Sequence, residues 1–273
     1  MEDSSMKKGI AVKETIEAVT GLVTAVPVYQ DAVQPAAKEI GKSLETVAKA
    51  INLALAPIGA LVWGYDKICE FVTIRVSEKL KNVPEENIIS PPIEVAGPTL
   101  EALRYTGHNQ NLRELYANLL ATSMDKATIH LAHPGYVEVL RNLTSDEAIL
   151  LRLFEEEQGF PLIDIHAISK DGDDSYTVVT TNYSHLHKGV TLQRPDLVPT
   201  YLDNLCRLGI LEIPVGITLT STGLYEPLEN DSELDVFKSI VDGLGKTLDF
   251  NRKYVECTMY GKYFIENVVI EKH

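Results

Sequence analysis

Apolar positions recur at helical spacing along most of this chain and switch to β-like runs in one later stretch. Ile40, Leu44, Val47 and Ile51 fall at steps of four, three and four with lysines and glutamates between them, which predicts an amphipathic helix. Ile68, Val72, Val76 and Leu80 continue at four-residue steps until Pro84 stops them. Leu112, Leu115, Tyr116, Leu119 and Leu120 repeat i, i+3, i+4, i+7, i+8, a stripe of the width that faces a core. "HPGYVEVLRNL" restarts a helix with Pro134 in its first turn, where a missing N–H costs nothing. Thr144 stands three residues before Glu147, the spacing of a capping box.

The pattern then changes. "FPLIDIHAI" and "SYTVVTTNY" are β-rich runs joined by the turn residues of "SKDGDD". "PDLVPTYLDNLCRLGILEIP" predicts a helix ending near Gly209 and a short strand, and "GITLTSTGLYEPL" offers that strand a partner. These parts are those of a winged-helix-like module. From Leu234 the pattern returns to helix through "CTMYGKYFIENVVI". The expected fold is mainly α: helical N-terminal and central blocks, a small α/β winged-helix-like module, and a C-terminal helical tail. The proline-rich stretch "NVPEENIISPPIEVAGP" reads as a linker. It divides an apolar and amphipathic helical region over 1–90 from a central helical domain over 91–158, with the α/β module at 159–230 and the tail at 231–273.

Two windows, 18–30 and 50–65, carry no charge at all. As helices they would be roughly 20 and 24 Å long, short of the ~30 Å hydrocarbon core of a bilayer. Core helices are the ordinary outcome at that length. Their composition points the other way, since Gly21, Pro27, Pro57 and Gly59 are poor choices for a water-soluble bundle, and Trp63 and Tyr65 stand at one end where an interface favours them. On the membrane reading the inserting surface comprises Val19, Val23 and Val26 from the first window and Ile51, Leu55, Ile58, Leu61, Val62 and Trp63 from the second.

Charge narrows the partners. The 273 residues hold 25 basic and 39 acidic side chains, a net of -14, most of it beyond residue 90. That balance disfavours nucleic acid, and the candidate recognition helix offers Arg194 and Arg207 against Asp196 and Asp203. Cys69, Cys206 and Cys257 are widely spaced, which suits a reducing cytosol and provides no thiolate zinc site. The opening residues lack the pattern of a secretory signal, so a cytoplasmic start is expected. His185 and His187 in "HLH" would share one face of a strand but lack a third ligand, and "DGDDS" lacks the length and closing Glu of a calcium loop. No phosphate loop, nucleophile elbow or zincin motif occurs, so neither an enzyme nor a cofactor is expected.

The run "NLRELYANLLATSMDKATIHLAHPGYVEVLRNLTSDEAILLRLF", the upstream "PPIEVAGPTLEAL" and the closing "TMYGKYFIENVV" resemble the abortive-infection alpha family of bacteria, with Tyr136 where Phe is the expected aromatic. The resemblance runs from about Pro91 to the end and implies a role in defence against bacteriophage. It brings no established catalytic residues. The expectation is a non-enzymatic effector, cytoplasmic at rest, whose apolar N-terminal helices act on the inner membrane after the C-terminal part senses a trigger. The alternative is a soluble interaction or regulatory module with both windows buried as core. Expected partners are a phage or host trigger protein, inner-membrane lipid and further copies of the chain. His133, Tyr136, Arg194 and Arg207 are the interaction candidates.

Overall fold

The computed structural model describes residues 64–156, 159–170 and 176–271. All nine membrane-surface candidates, from Val19 to Trp63, lie outside these residues, as do nearly all of both uncharged windows. Among the described residues no helix is long and apolar enough to cross a membrane.

Most of the described chain is helical. Helix α1 (Tyr65–Lys79) buries its four-residue stripe: Ile68, Val76 and Leu80 are 0% exposed and Val72 2%. Helix α2 (Ile93–Thr106) follows, and α3 (Gln110–Ser123) forms the centre of the helical body. The Asn109 side chain caps α3 by accepting from the Leu112 N–H. From Leu115 to Ser123 every residue of α3 is buried, a width no single apolar stripe requires, because α1, α2, α4 (Gly135–Arg141) and α5 (Ser145–Leu150) all pack on it. The capping box at Thr144 and Glu147 forms as its spacing predicts.

The proline-rich stretch 82–98 is not a free linker. Its first half is stitched to the end of α3, with Ile89 N donating to Met124 O at 2.8 Å and Lys126 N to Asn87 O at 2.9 Å. Its second half is the start of α2, which takes Pro98 inside it.

The sheet has four antiparallel strands in the order β2-β1-β4-β3. Strands β1 (Phe160–Ser169) and β2 (Tyr176–Tyr183) are the expected hairpin. Between the pairs Ile163–Tyr183 and His166–Val178, β2 carries two more residues than β1. Asp164 takes up that irregularity: it accepts the Asn182 N–H at 2.9 Å, where Asn182 has a φ of 55°, and pairs with Lys253 at 2.7 Å. One face of the sheet packs Ile163 and Ile165 against Tyr225, Leu228 and Leu234.

Two expectations are corrected here. Helix α6 (Val198–Arg207) ends at Gly209 with φ 73° and leads into β3 (Leu211–Glu212), but no strand forms in "GITLTSTGLYEPL". The partner of β3 comes instead from the supposed helical tail. After the short helix α7 (Glu226–Glu229) and α8 (Asp235–Gly243), residues 246–257 form β4 (Lys246–Cys257), which pairs with β1 over ten residues. Leu248, Phe250, Val255 and Cys257 turn inward, but Asn251, Arg252 and Lys253 interrupt the alternation, which hid the strand. Only then does helix return, as α9 (Met259–Phe264) and a π-helical segment, Ile265–Val269. A π-helix is costly to build, and this one leans on α3. Asn118 Nδ2 donates to Val268 O and Thr122 Oγ1 to Asn267 O, both at 2.8 Å.

Candidate functional site

The segments that carry the family resemblance are far apart in the chain and meet in space. Pro134 precedes α4, and the Gly135 N–H donates to His133 Nδ1 at 3.0 Å. The exposed His133 ring lies 5.7 Å from Tyr136 and 5.8 Å, edge-on, from Tyr260. Tyr136 in turn contacts Tyr260 at 5.1 Å and the buried Phe264 at 5.2 Å. Burial, reinforced by Tyr260, Tyr263 and Glu266, pushes the Tyr136 hydroxyl up to about 12. Together these rings form an aromatic seam.

The seam is closed by glycines. A Cβ on Gly135 would stand 2.9 Å from both His133 Nδ1 and Tyr260 OH. A Cβ on Gly261 would stand 1.9 Å from the carbonyl oxygen of Ile210, so the first turn of α9 rests directly on the backbone after α6. Thr258 fixes this approach: its N–H donates to Ile210 O at 3.1 Å, its hydroxyl to Gly209 O at 2.5 Å, and the same oxygen accepts from Gly261 N at 2.9 Å.

The two arginines make their contacts elsewhere. Arg194 is exposed and forked onto Asp196 at 2.9 and 2.6 Å, while Arg207 binds Asn204 Oδ1 at 3.1 and 2.6 Å. The segment before α6 is anchored by Asp146, which is 4% exposed and accepts from Gln193 N, Arg194 N and the Tyr201 hydroxyl. Burial opposes its ionisation, but those three donors outweigh it and hold the carboxyl below its ordinary range.

A second cluster escaped the sequence reading. His185 and His187 are not on a strand. His185 immediately precedes the 3₁₀ turn Leu186–Gly189 that contains His187, so the rings meet edge-on at 6.3 Å and do not project side by side. The His185 ring binds the buried carboxylate of Asp231, which also receives Lys188 Nζ at 2.7 Å and the Glu233 N–H at 3.0 Å. Lys188, with lesser help from these donors, holds Asp231 well below the usual carboxylate range against the cost of burial. Beside it is an apolar pocket lined by Leu153, Phe160, Pro161, Leu186, Leu224, Pro227 and Leu228, with His185 on its wall. Nothing local in the sequence links His185 to Asp231. No group of three or more His, Cys, Asp or Glu among the described residues is placed to hold a metal.

The family model described as "Abortive infection alpha" matches residues 64–268, which contain both halves of the aromatic seam. The chain belongs to the abortive infection alpha family. Comparison with curated proteins found no match for this Abi-alpha chain. Among solved structures it is similar to an uncharacterised protein from the hydrocarbon-degrading marine bacterium Alcanivorax borkumensis SK2. That pair is 21% identical over 53% of this chain and 96% of the other, with a TM-score of 0.35. Membership ties this Abi-alpha chain to abortive-infection-type defence, and the match begins where α1 begins.

Proposed function

We propose that this Abi-alpha protein is a non-enzymatic effector of abortive infection. Its body from residue 64 onward senses a phage or host trigger protein, and residues 1–63 act on inner-membrane lipid, as an oligomer, once that body lets them go. In the resting state the chain is cytoplasmic and needs no cofactor. The observation that carries this reading is a division in the chain. The family match starts at residue 64, and the stretch before it holds both uncharged, Gly- and Pro-containing windows in the nearly neutral part of an otherwise acidic protein. Helices too short to span alone would need neighbours to satisfy the backbone around Pro27 and Pro57, hence the oligomer. The part of the chain that holds α6 and β3 serves protein contact on this reading, because Arg194 is already neutralised by Asp196 and Asp203 adds further negative charge.

The test is membrane potential, followed with a voltage-sensitive dye in phage-challenged cells expressing the full chain or Gly59→Asp. Depolarisation that precedes lysis and disappears in the variant is the expected result. Protection from phage with the potential unchanged would overturn the membrane reading.

The exposed stripe on α8 favours a second reading, a soluble interaction module. Val236 and Ile240 on α8 and Leu244 just after it are 65%, 58% and 70% exposed. On that reading Ile240→Lys abolishes protection, while Gly59→Asp unfolds the protein because its window is core.

A further inference from the structure

Helix α1 is the element that joins residues 1–63 to the described body, and charge as well as packing holds it there. Its inner face is the apolar stripe Ile68, Val72, Val76 and Leu80. Along one side runs an ion cluster centred on a single acid of α3. Glu114 accepts from Arg75 Nε at 3.2 and 3.1 Å and from Arg75 Nη2 at 2.8 Å, and lies 3.7 Å from Lys79 Nζ. Glu271, at the other end of the described body, reaches the same ammonium only at 4.0 Å. Arg75 has a second acid of its own, Glu78, at 2.5 Å.

The burden on Glu114 is unequal. The Lys79 side chain is 5% exposed, and its desolvation lowers its pKa in spite of both carboxylates. Arg75 opposes it further, being a second cation nearby. Without Glu114, the buried ammonium would face Arg75 with only the half-exposed Glu271, at 4.0 Å, as counter-charge. Breaking a buried pair from one side costs far more than the pair itself contributes, because the remaining charge stays desolvated.

We infer that α1 is a releasable strap latched by Glu114, and that opening this latch uncouples residues 1–63 from the body. The latch stands on its own geometry; only the consequence of opening it rests on the membrane-effector reading. The accessible half of the latch is Arg75, with 35% of its side chain exposed against 15% for Glu114. A trigger of matching chemistry therefore presents an acidic surface that takes Arg75 away from Glu114, removing the forked link between α1 and α3 and leaving the strap held on this side by the longer Lys79 contact alone.

Hydrogen exchange on the purified full chain tests the latch. Glu114→Gln is expected to speed exchange of the α1 amides about 100-fold relative to those of β1. Lys79→Met in the same chain is expected to restore protection, since no buried cation then remains to be neutralised. Equal exchange in α1 with and without Glu114, a parallel rise in α1 and β1, or failure of Lys79→Met to rescue would each overturn the strap. In cells, Glu114→Gln is expected to depolarise the membrane without phage. Release of α1 by exchange with the potential unchanged would support the latch and count against the membrane reading alone.

Discussion

Gly261→Ala is the sharpest single perturbation the fold offers. The added methyl would start 1.9 Å from Ile210 O and 2.8 Å from Ile210 C, both backbone atoms that no rotamer change can move. Restoring ordinary contact requires α9 to retreat by about 1.5 Å. That retreat strains or breaks the Thr258 N–H bond to Ile210 O and the Thr258 hydroxyl bond to Gly209 O, each worth about 1 kcal/mol. Overpacking of the seam adds roughly 1–3 kcal/mol. The sum, roughly 3–5 kcal/mol, is a large part of the 5–15 kcal/mol by which a domain is ordinarily stable. For a body of this size that is a fall in Tm of roughly 6–20 °C. Thermal unfolding followed by circular dichroism in the full chain measures it. Gly243→Ala, at the end of α8 with nothing within 4 Å of its Cβ, is the control and should match or slightly exceed the parent. A fall in Tm below about 3 °C for Gly261→Ala would show that α9 does not rest on the Ile210 backbone, and the argument for the seam would go with it.

Two other effects should be measurable. Thr122→Val leaves the Asn267 carbonyl without its 2.8 Å donor inside the body, so a loss of about 1–3 kcal/mol is expected in urea titration, with the π-helical segment the first to lose exchange protection. Tyr136 should contribute to alkaline unfolding: its folded hydroxyl titrates at about 12 but the unfolded one near 10, so the unfolded chain holds fewer protons between those values and stability falls as pH rises through them. Tyr136→Phe should flatten the pH 10–12 limb of the Tm profile; an unchanged slope would assign that limb to other groups.

The sequence was legible where structure is local. The stripes of α1 and α3, the capping box at Thr144, the β1–β2 hairpin and the glycine at the end of α6 all follow from spacing within a few residues, and all form. Strand β4 was hidden because its pairing partner β1 lies far upstream and because three polar residues, Asn251, Arg252 and Lys253, interrupt its alternation. The proline-rich stretch misled for a related reason. Prolines at 84, 91 and 92 punctuate helices locally, but the hydrogen bonds that fix the stretch to Met124 and Lys126 are tertiary. The same limit applied to chemistry: His185 and Lys188 share one turn, but Asp231 joins them only when the turn after β2 is laid against the segment after α7.

The aromatic seam and the ion cluster that would carry regulation are therefore built on different physics. His133, Gly135, Tyr136, Gly261 and Phe264 pack rings and bare backbone together, and substitution there acts on the fold as a whole. Such a seam suits a closure that never opens, since rings and glycines in close contact leave no intermediate arrangement of comparable energy. Arg75, Lys79 and Glu114 form a contact of the opposite kind. It is charged, half accessible, and supported by one acid serving two cations, so a competing charge can shift its balance without unfolding what lies beneath. A defence protein must hold still until infection and then change quickly. The seam supplies the first, and the charged cluster on α1, the helix that follows residues 1–63 in the chain, would supply the second.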